Sequence, residues 1–190
     1  MSYVKIEGNA SGTGTFTIAA PNSSTDRTLT LPDEAGTVLT SASDAVTKLN
    51  SVLMDIKLPG NQTLTDATGA IASFTSAPRV EVGGTWDTTN KRFTADASTA
   101  GYYLATFNCQ FYSSTNQIYE SIAYIRKNGT VVVANETTDG GSNLRHTSPS
   151  VTAIVNLASG DYLDFYVYLD VAGGTPTLSA DSTATLVRLA

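Results

Sequence analysis

The sequence predicts an all-β protein: an antiparallel sandwich or jelly-roll knob, a short coiled-coil neck helix, and a β-rich N-terminal arm. Three observations carry this expectation. First, 29 Thr and 19 Ser stand among 190 residues while only 15% are charged, a composition that favours strands and turns over helices. Second, turn-bounded segments with period-two hydrophobic alternation recur throughout the C-terminal half, with no βαβ alternation between them. Third, 14 of the 16 Phe, Tyr and Trp residues lie between Phe74 and Tyr168. Aromatic side chains bury large areas and dominate cores, so the core belongs to the C-terminal region.

Residues 1–40 read as the arm. Thr13, Thr15 and Thr17 alternate with Gly14, Phe16 and Ile18, and the turn cluster PNSSTD follows. Leu29 and Leu31 then share a face within RTLTLP, and PDEAG turns the chain into TVLT. Strands this short bury too little to stand alone, so Phe16, Ile18, Leu29 and Leu31 are expected to anchor against a partner.

Residues 41–58 change period. Val46, Leu49, Leu53 and Ile56 follow the spacing three, four, three of heptad a and d positions. Ser41 or Ser43 can cap a helix start, and Pro59-Gly60 ends it. One reading is an amphipathic helix packed on its own domain. The other, favoured by its place between two β-rich regions, is a parallel neck joining sister subunits.

Residues 59–190 are expected to form the knob. GYYLATFNCQF puts Tyr103, Ala105, Phe107, Cys109 and Phe111 on one face and Tyr102, Leu104 and Thr106 on the other. SIAYIRKNGTVVVAN reads as a hairpin turning at Asn128-Gly129. SVTAIVNL alternates Val151, Ala153, Val155 and Leu157, and YLDFYVYLDV alternates Leu163, Phe165, Val167, Leu169 and Val171. TATLVRLA supplies a last strand.

Several function classes are disfavoured. The net charge is −6, and the eleven basic residues are scattered in ones and twos, which gives nucleic acid no cationic stripe. No run of 18 apolar residues offers a membrane span, and MSYVKIEGNA lacks the order of a signal peptide. Cys109 falls in an alternating strand and His146 in a Gly/Ser/Pro-rich loop, so a nucleophile would have no base beside it. No enzyme, metal or cofactor is expected. Asp161, Asp164 and Asp170 lack the loop spacing of a calcium site and read as a solvated sheet face. Tyr162, Tyr166 and Tyr168, at even positions along one strand, suit either a sugar-stacking platform or a subunit interface, with the interface favoured.

Motif order adds two resemblances. Trp86-Asp87, Phe93-Thr94-Ala95, Gly101-Tyr102-Tyr103, Lys127-Asn128-Gly129, Leu157 with Gly160-Asp161, and the strand Leu186 to Leu189 resemble, in that order, the globular head of complement's first component and tumour-necrosis-factor-like domains. That resemblance implies a ten-stranded jelly roll forming a tight trimer, with a tyrosine-rich sheet lining the three-fold axis. No collagen-like Gly-X-Y stalk precedes the head, so a complement-like role is not implied. The segment GNASGTGTFTIAAPNSSTDRTLTLPDEAGTVLT is similar to one found in bacteriophage virion proteins.

Together these readings lead to the expectation of a homotrimeric capsid decoration (cement) protein, made in the bacterial cytoplasm and built into the virion. Its arm would sit on the major capsid protein and its knob would project outward. A neck helix of this length spans only about 24 Å, which describes a stub and not a long fibre. The alternative is a short tail fibre or receptor-binding tip attached to a tail protein and reading a host-surface glycan, through the tyrosine face or the loop Thr137–Pro149.

Overall fold

The computed structural model describes Ser11 and residues 52–115, 117–139 and 144–189. The chain divides into two units, residues 1–37 and 38–190, and every described strand belongs to the second. Phe16, Ile18, Leu29 and Leu31 of the predicted arm, and Val46 and Leu49 of the predicted neck, lie outside the described residues.

The described chain runs through β1 (Leu53–Lys57), β2 (Gln62–Thr63), β3 (Ala70–Ile71), β4 (Val80–Val82), β5 (Trp86–Asp87), β6 (Arg92–Thr94), β7 (Gly101–Asn108) and β8 (Phe111–Ser113). It continues through β9 (Ile118–Lys127), β10 (Thr130–Thr138), β11 (His146–Thr147), β12 (Ser150–Leu157), β13 (Tyr162–Val171), β14 (Pro176–Leu178) and β15 (Thr183–Arg188). One sheet has the order β12-β7-β15-β1-β4 and a second the order β10-β9-β13-β6-β5, with β3 also pairing β13. A small sheet, β11-β8-β14-β2, completes the set, and every strand pair is antiparallel. Apart from the consecutive pairs β9–β10 and β5–β6, neighbours in the sheets are not consecutive in sequence, the crossover pattern of a jelly roll.

The period-two stripes read from the sequence face the interior. Tyr103, Ala105 and Phe107 of β7 are fully buried, as are Leu163, Val167 and Leu169 of β13, and both strands feed one hydrophobic cluster. Phe165 stands at its centre, with ring centroids 5.1 Å from Phe107, 5.9 Å from Phe74 and 6.1 Å from Trp86. The Trp86 indole N–H donates to the Phe74 carbonyl at 2.9 Å, which satisfies its polar edge inside the core. The β9–β10 hairpin turns as expected: Asn128 and Gly129 take φ of 52° and 77°, the pair of positive angles a two-residue primed turn needs.

The neck helix is corrected where it can be seen. Residues 53–57 form β1, paired with β15 along its whole length and with β4 from Leu53 to Asp55. Ile56 lies in the core, while Leu53 points out of the sheet. The reason lies in a second periodicity within the same residues. Val52, Met54, Ile56 and Leu58 alternate strictly, and all four are buried. Hydrogen bonding from both edges then fixes the strand over any helical preference of so short a segment. The knob's sheet therefore begins upstream of Pro59.

The last strand ends on a buried cation. Arg188 is 1% exposed and donates to the Ser98 carbonyl at 2.8 Å and to the Ala100 carbonyl. The Tyr103 hydroxyl donates to the Thr99 carbonyl. Burial pushes that phenol up to about 12. These bonds fasten the loop between β6 and β7 from below.

Candidate interaction surface

Once a core is full, the informative apolar residues are those left outside it in contiguous array. On the outer face of the β12-β7-β15-β1-β4 sheet, registers align such an array. Val82 of β4 stands opposite Leu53, Leu53 opposite Val187, Val187 opposite Leu104, and Leu104 opposite Ile154. One apolar row thus crosses all five strands. Leu53 alternates with Met54, and Leu104 with Tyr103 and Ala105, so the row points away from the core. Ile154 is 64% exposed and Val82 51%, extreme values for large aliphatic side chains.

The neighbouring row is polar but uncharged over three strands. Thr185, Thr106 and Thr152 stand opposite one another, and the hydroxyls of Thr106 and Thr152 lie 3.2 Å apart. On the other side Tyr102 is 52% exposed, and the Leu189 amide donates to the Tyr102 carbonyl. Charges sit at the margin, in the pairs Arg79–Asp55 at 2.7 Å and Lys57–Asp181 at 3.2 Å. No single strand displays this face, because each contributes only one or two of its apolar residues.

The predicted tyrosine surface lies on the opposite sheet, and two of its three rings pack against side chains of the same chain. Tyr162, Tyr166 and Tyr168 are half-buried. The Arg92 guanidinium lies 4.3 Å from the Tyr162 ring centre, and that of Arg126 lies 3.8 Å from the Tyr166 ring. Tyr124 meets Tyr166 edge-on at 5.9 Å. A Cβ added at Gly69 would fall 2.4 Å from the Tyr166 ring and hydroxyl, so the chain before β3 lies against that ring. Arg126 also holds Asp164 through two bonds, of 2.7 and 2.9 Å. Asp164 is 3% exposed, which corrects its reading as part of a solvated face.

The other singled-out residues are similarly engaged. Asp161 accepts from Lys127 at 2.6 Å and from the Asn128 amide at 2.7 Å, and these contacts bring its carboxyl down to about 2. Cys109 is 3% exposed, and burial pushes its thiol well up from the ordinary value. His146 is exposed and stacks on Tyr112 at 5.9 Å. Among the described residues no three His, Cys, Asp or Glu side chains gather as a metal would need. Among the same residues, no helix is long and apolar enough to cross a membrane.

Glu120 gives the outer β9-β13 surface a pH response. Partial burial and then the Glu136 carboxyl raise the Glu120 carboxyl above its ordinary 4.5. Hydrogen bonds from Ser98 and Thr99 lower Asp96 to about 2, those from Lys127 and Asn128 do the same for Asp161, and those from Asn90 lower Asp87. A raised carboxyl disfavours the fold only when ionised, so acidification from neutrality towards 4.5 relieves Glu120. The lowered aspartates stabilise the fold above 3.8, and that contribution is lost as pH falls towards about 2. The melting temperature is therefore expected to rise on acidification from neutral pH, peak near about pH 4 and fall below it. Glu120→Gln should flatten the neutral-to-peak limb in a thermal melt series. A steady fall from pH 7 downward in the unmodified protein would contradict this assignment of the shifts.

Comparison with solved structures places the knob among tumour necrosis factor and complement globular-head jelly rolls. Eiger TNF from S. frugiperda superposes with a TM-score of 0.52 at 13% identity, over 73% of this chain and 91% of that one. The globular domain of the zebrafish complement 1qA protein gives 0.51 at 10% identity, over 74% and 98%. Murine APRIL gives 0.54 at 12% identity, over 73% and 98%. No family model and no curated protein matches the sequence. At such identities the likeness is one of fold: the knob is a jelly roll of the tumour necrosis factor and complement head type.

Proposed function

We propose that the chain is a structural virion protein, a homotrimer that decorates a capsid shell and associates through the outer face of the β12-β7-β15-β1-β4 sheet. The observation that carries the self-association is the row Val82, Leu53, Val187, Leu104 and Ile154, aligned in register across five strands and free of charge. A second copy of the same row offers a matching apolar surface, and the threonine row beside it adds hydroxyls that can pair without buried charge. The interface is set on this face because the rings of Tyr162 and Tyr166 already serve Arg92 and Arg126 within the chain. The trimer is the assembly that the globular-head resemblance implies. The virion assignment rests on the phage-like phrase of residues 8–40. A chain poor in charge and in catalytic side chains suits a building part.

Mass spectrometry of purified virions with a copy count tests the assignment. The expected result is a high copy number, a multiple of three, in fixed ratio to the major capsid protein. A handful of copies confined to the tail would favour the short tail fibre instead, and absence from virions would remove both.

A further inference from the structure

We propose that the cleft between the β4–β5 turn and the β6–β7 loop binds a pyranose sugar through neighbouring hydroxyls, with the Asp96 carboxylate as principal acceptor. The inference does not rest on the proposed assembly or on the protein's place on a virion. The cleft has a volume of about 370 Å³ and is lined by Gly83, Gly84, Thr85, Thr94, Asp96 and Thr99 over a floor of Phe93. That is the small end of the range for ligand pockets, about 300–1,000 Å³, and suits a single ring.

Thr94, at the end of β6, and Asp96, two residues into the following loop, alternate with the buried Phe93 and Ala95, and both are exposed. Asp96 Oδ1 accepts four bonds: from the Ser98 amide at 2.8 Å, the Ser98 hydroxyl at 2.7 Å, the Thr99 amide at 2.8 Å and the Thr99 hydroxyl at 2.9 Å. All four fall on one oxygen. Oδ2, Thr94 Oγ1 and Thr85 Oγ1 make no hydrogen bond with any described residue, which leaves one charged acceptor and two hydroxyls open at the same cleft. The Ser98 and Thr99 bonds bring Asp96 down to about 2, so the acceptor stays ionised throughout the neutral and mildly acidic range.

The loop that carries Asp96 is held before any ligand arrives. Arg188 donates to the carbonyls of Ser98 and Ala100, and the Tyr103 hydroxyl donates to that of Thr99. A preformed site loses less conformational freedom on binding. On the facing side, a Cβ at Gly84 would meet the Phe93 ring at 2.9 Å and Met54 at 3.2 Å. The glycine lets that turn lie directly on the aromatic floor.

The lining selects among ligand classes. Among the described residues no Lys or Arg lines the cleft, and an anion would meet the ionised Asp96. An apolar ligand would strand three polar groups. A single carboxylate is a poor cage for calcium, which takes about six to eight oxygens. A neutral polyol satisfies all three open groups: two adjacent hydroxyls donate to Oδ2, and ring or hydroxyl oxygens accept from Thr85 and Thr94.

Saturation-transfer NMR on the full chain, with a panel of free methyl pyranosides as probes, tests the inference. At least one pyranoside is expected to bind with a dissociation constant of about 1 mM. Asp96→Asn keeps an acceptor for the loop bonds but replaces Oδ2 by a donor, and should weaken binding about tenfold or more. Thr94→Val removes one hydroxyl at equal volume and should weaken it about threefold to tenfold, which preserves the test if the first variant does not fold. No binding of any pyranoside by the unmodified protein, or undiminished binding in the folded variants, overturns the proposal. So does Asp96-dependent thermal stabilisation by calcium chloride or ethylammonium chloride alone, which would mark a cation site.

Discussion

The double variant Ile154→Asp/Leu104→Lys is expected to run as a folded monomer, and the unmodified protein as a trimer. These residues face each other across β12 and β7 on the outer face of their sheet, and neither side chain reaches the core. Within one chain the new charges are opposite in sign and cross-strand neighbours, so the monomer loses little. In the trimer the same charges would be repeated three times and taken out of water, at several kcal/mol per ion, against apolar rows that cannot pair them. Sedimentation velocity separates the outcomes, since one chain weighs 19.9 kDa and three weigh about 60 kDa. Substituting Tyr168 should leave the assembly intact, because Tyr168 lies on the other sheet. An unmodified protein already monomeric at micromolar concentration, or a double variant still trimeric, would remove the proposed interface.

Phe165→Ala is expected to cost about 3–5 kcal/mol, the range for truncating a fully packed aromatic. The ring contacts Phe74, Trp86 and Phe107 at once, so its removal deprives three other aromatics of their packing partner. Trp86 is further pinned by its bond to the Phe74 carbonyl and cannot swing into the space. The cavity should therefore persist instead of collapsing, which places the cost towards the upper part of that range. For a domain of this size the melting temperature should fall by roughly 10–15 °C. Calorimetry on the monomeric double variant gives the cleanest reading, free of concentration-dependent stabilisation by partner chains. A loss under about 1 kcal/mol would mean that the ring is not the centre of the core.

How much of the fold was legible in the sequence depends on strand length and on register. β7, β9, β12, β13 and β15 are long enough to display period-two alternation, and their inward stripes could be read directly. β2, β3, β5 and β11 have two residues each, too few for any period to show. Residues 52–58 carried two periods at once. Spacing alone favoured a heptad through Leu53 and Ile56, whereas pairing with β15 and β4, invisible locally, selected Val52, Met54, Ile56 and Leu58 as the buried set. The same dependence on register hid the apolar row, whose five members span residues 53 to 187. The tyrosines were visible as a stripe, but Arg126 and Asp164, bonded across 38 positions, were not visible as its cover. The Asp96 cleft left a partial trace in the string Asp96-Ala97-Ser98-Thr99, a carboxylate followed by hydroxyls at the spacing of an Asx turn.

The placement of β1 bears on how the knob withstands force. The chain enters the knob at Val52, whose carbonyl accepts from the Arg188 amide at 2.9 Å, and the strand that starts at Leu53 is bonded to β15 on one edge and to β4 on the other. A pull on the preceding segment along the strand axis loads these bonds together, in shear. Had the tether been attached to an edge strand such as β10, it could have peeled the sheet open one bond at a time. The point of entry is thus an internal strand, which cannot be drawn out before the sheet around it gives way.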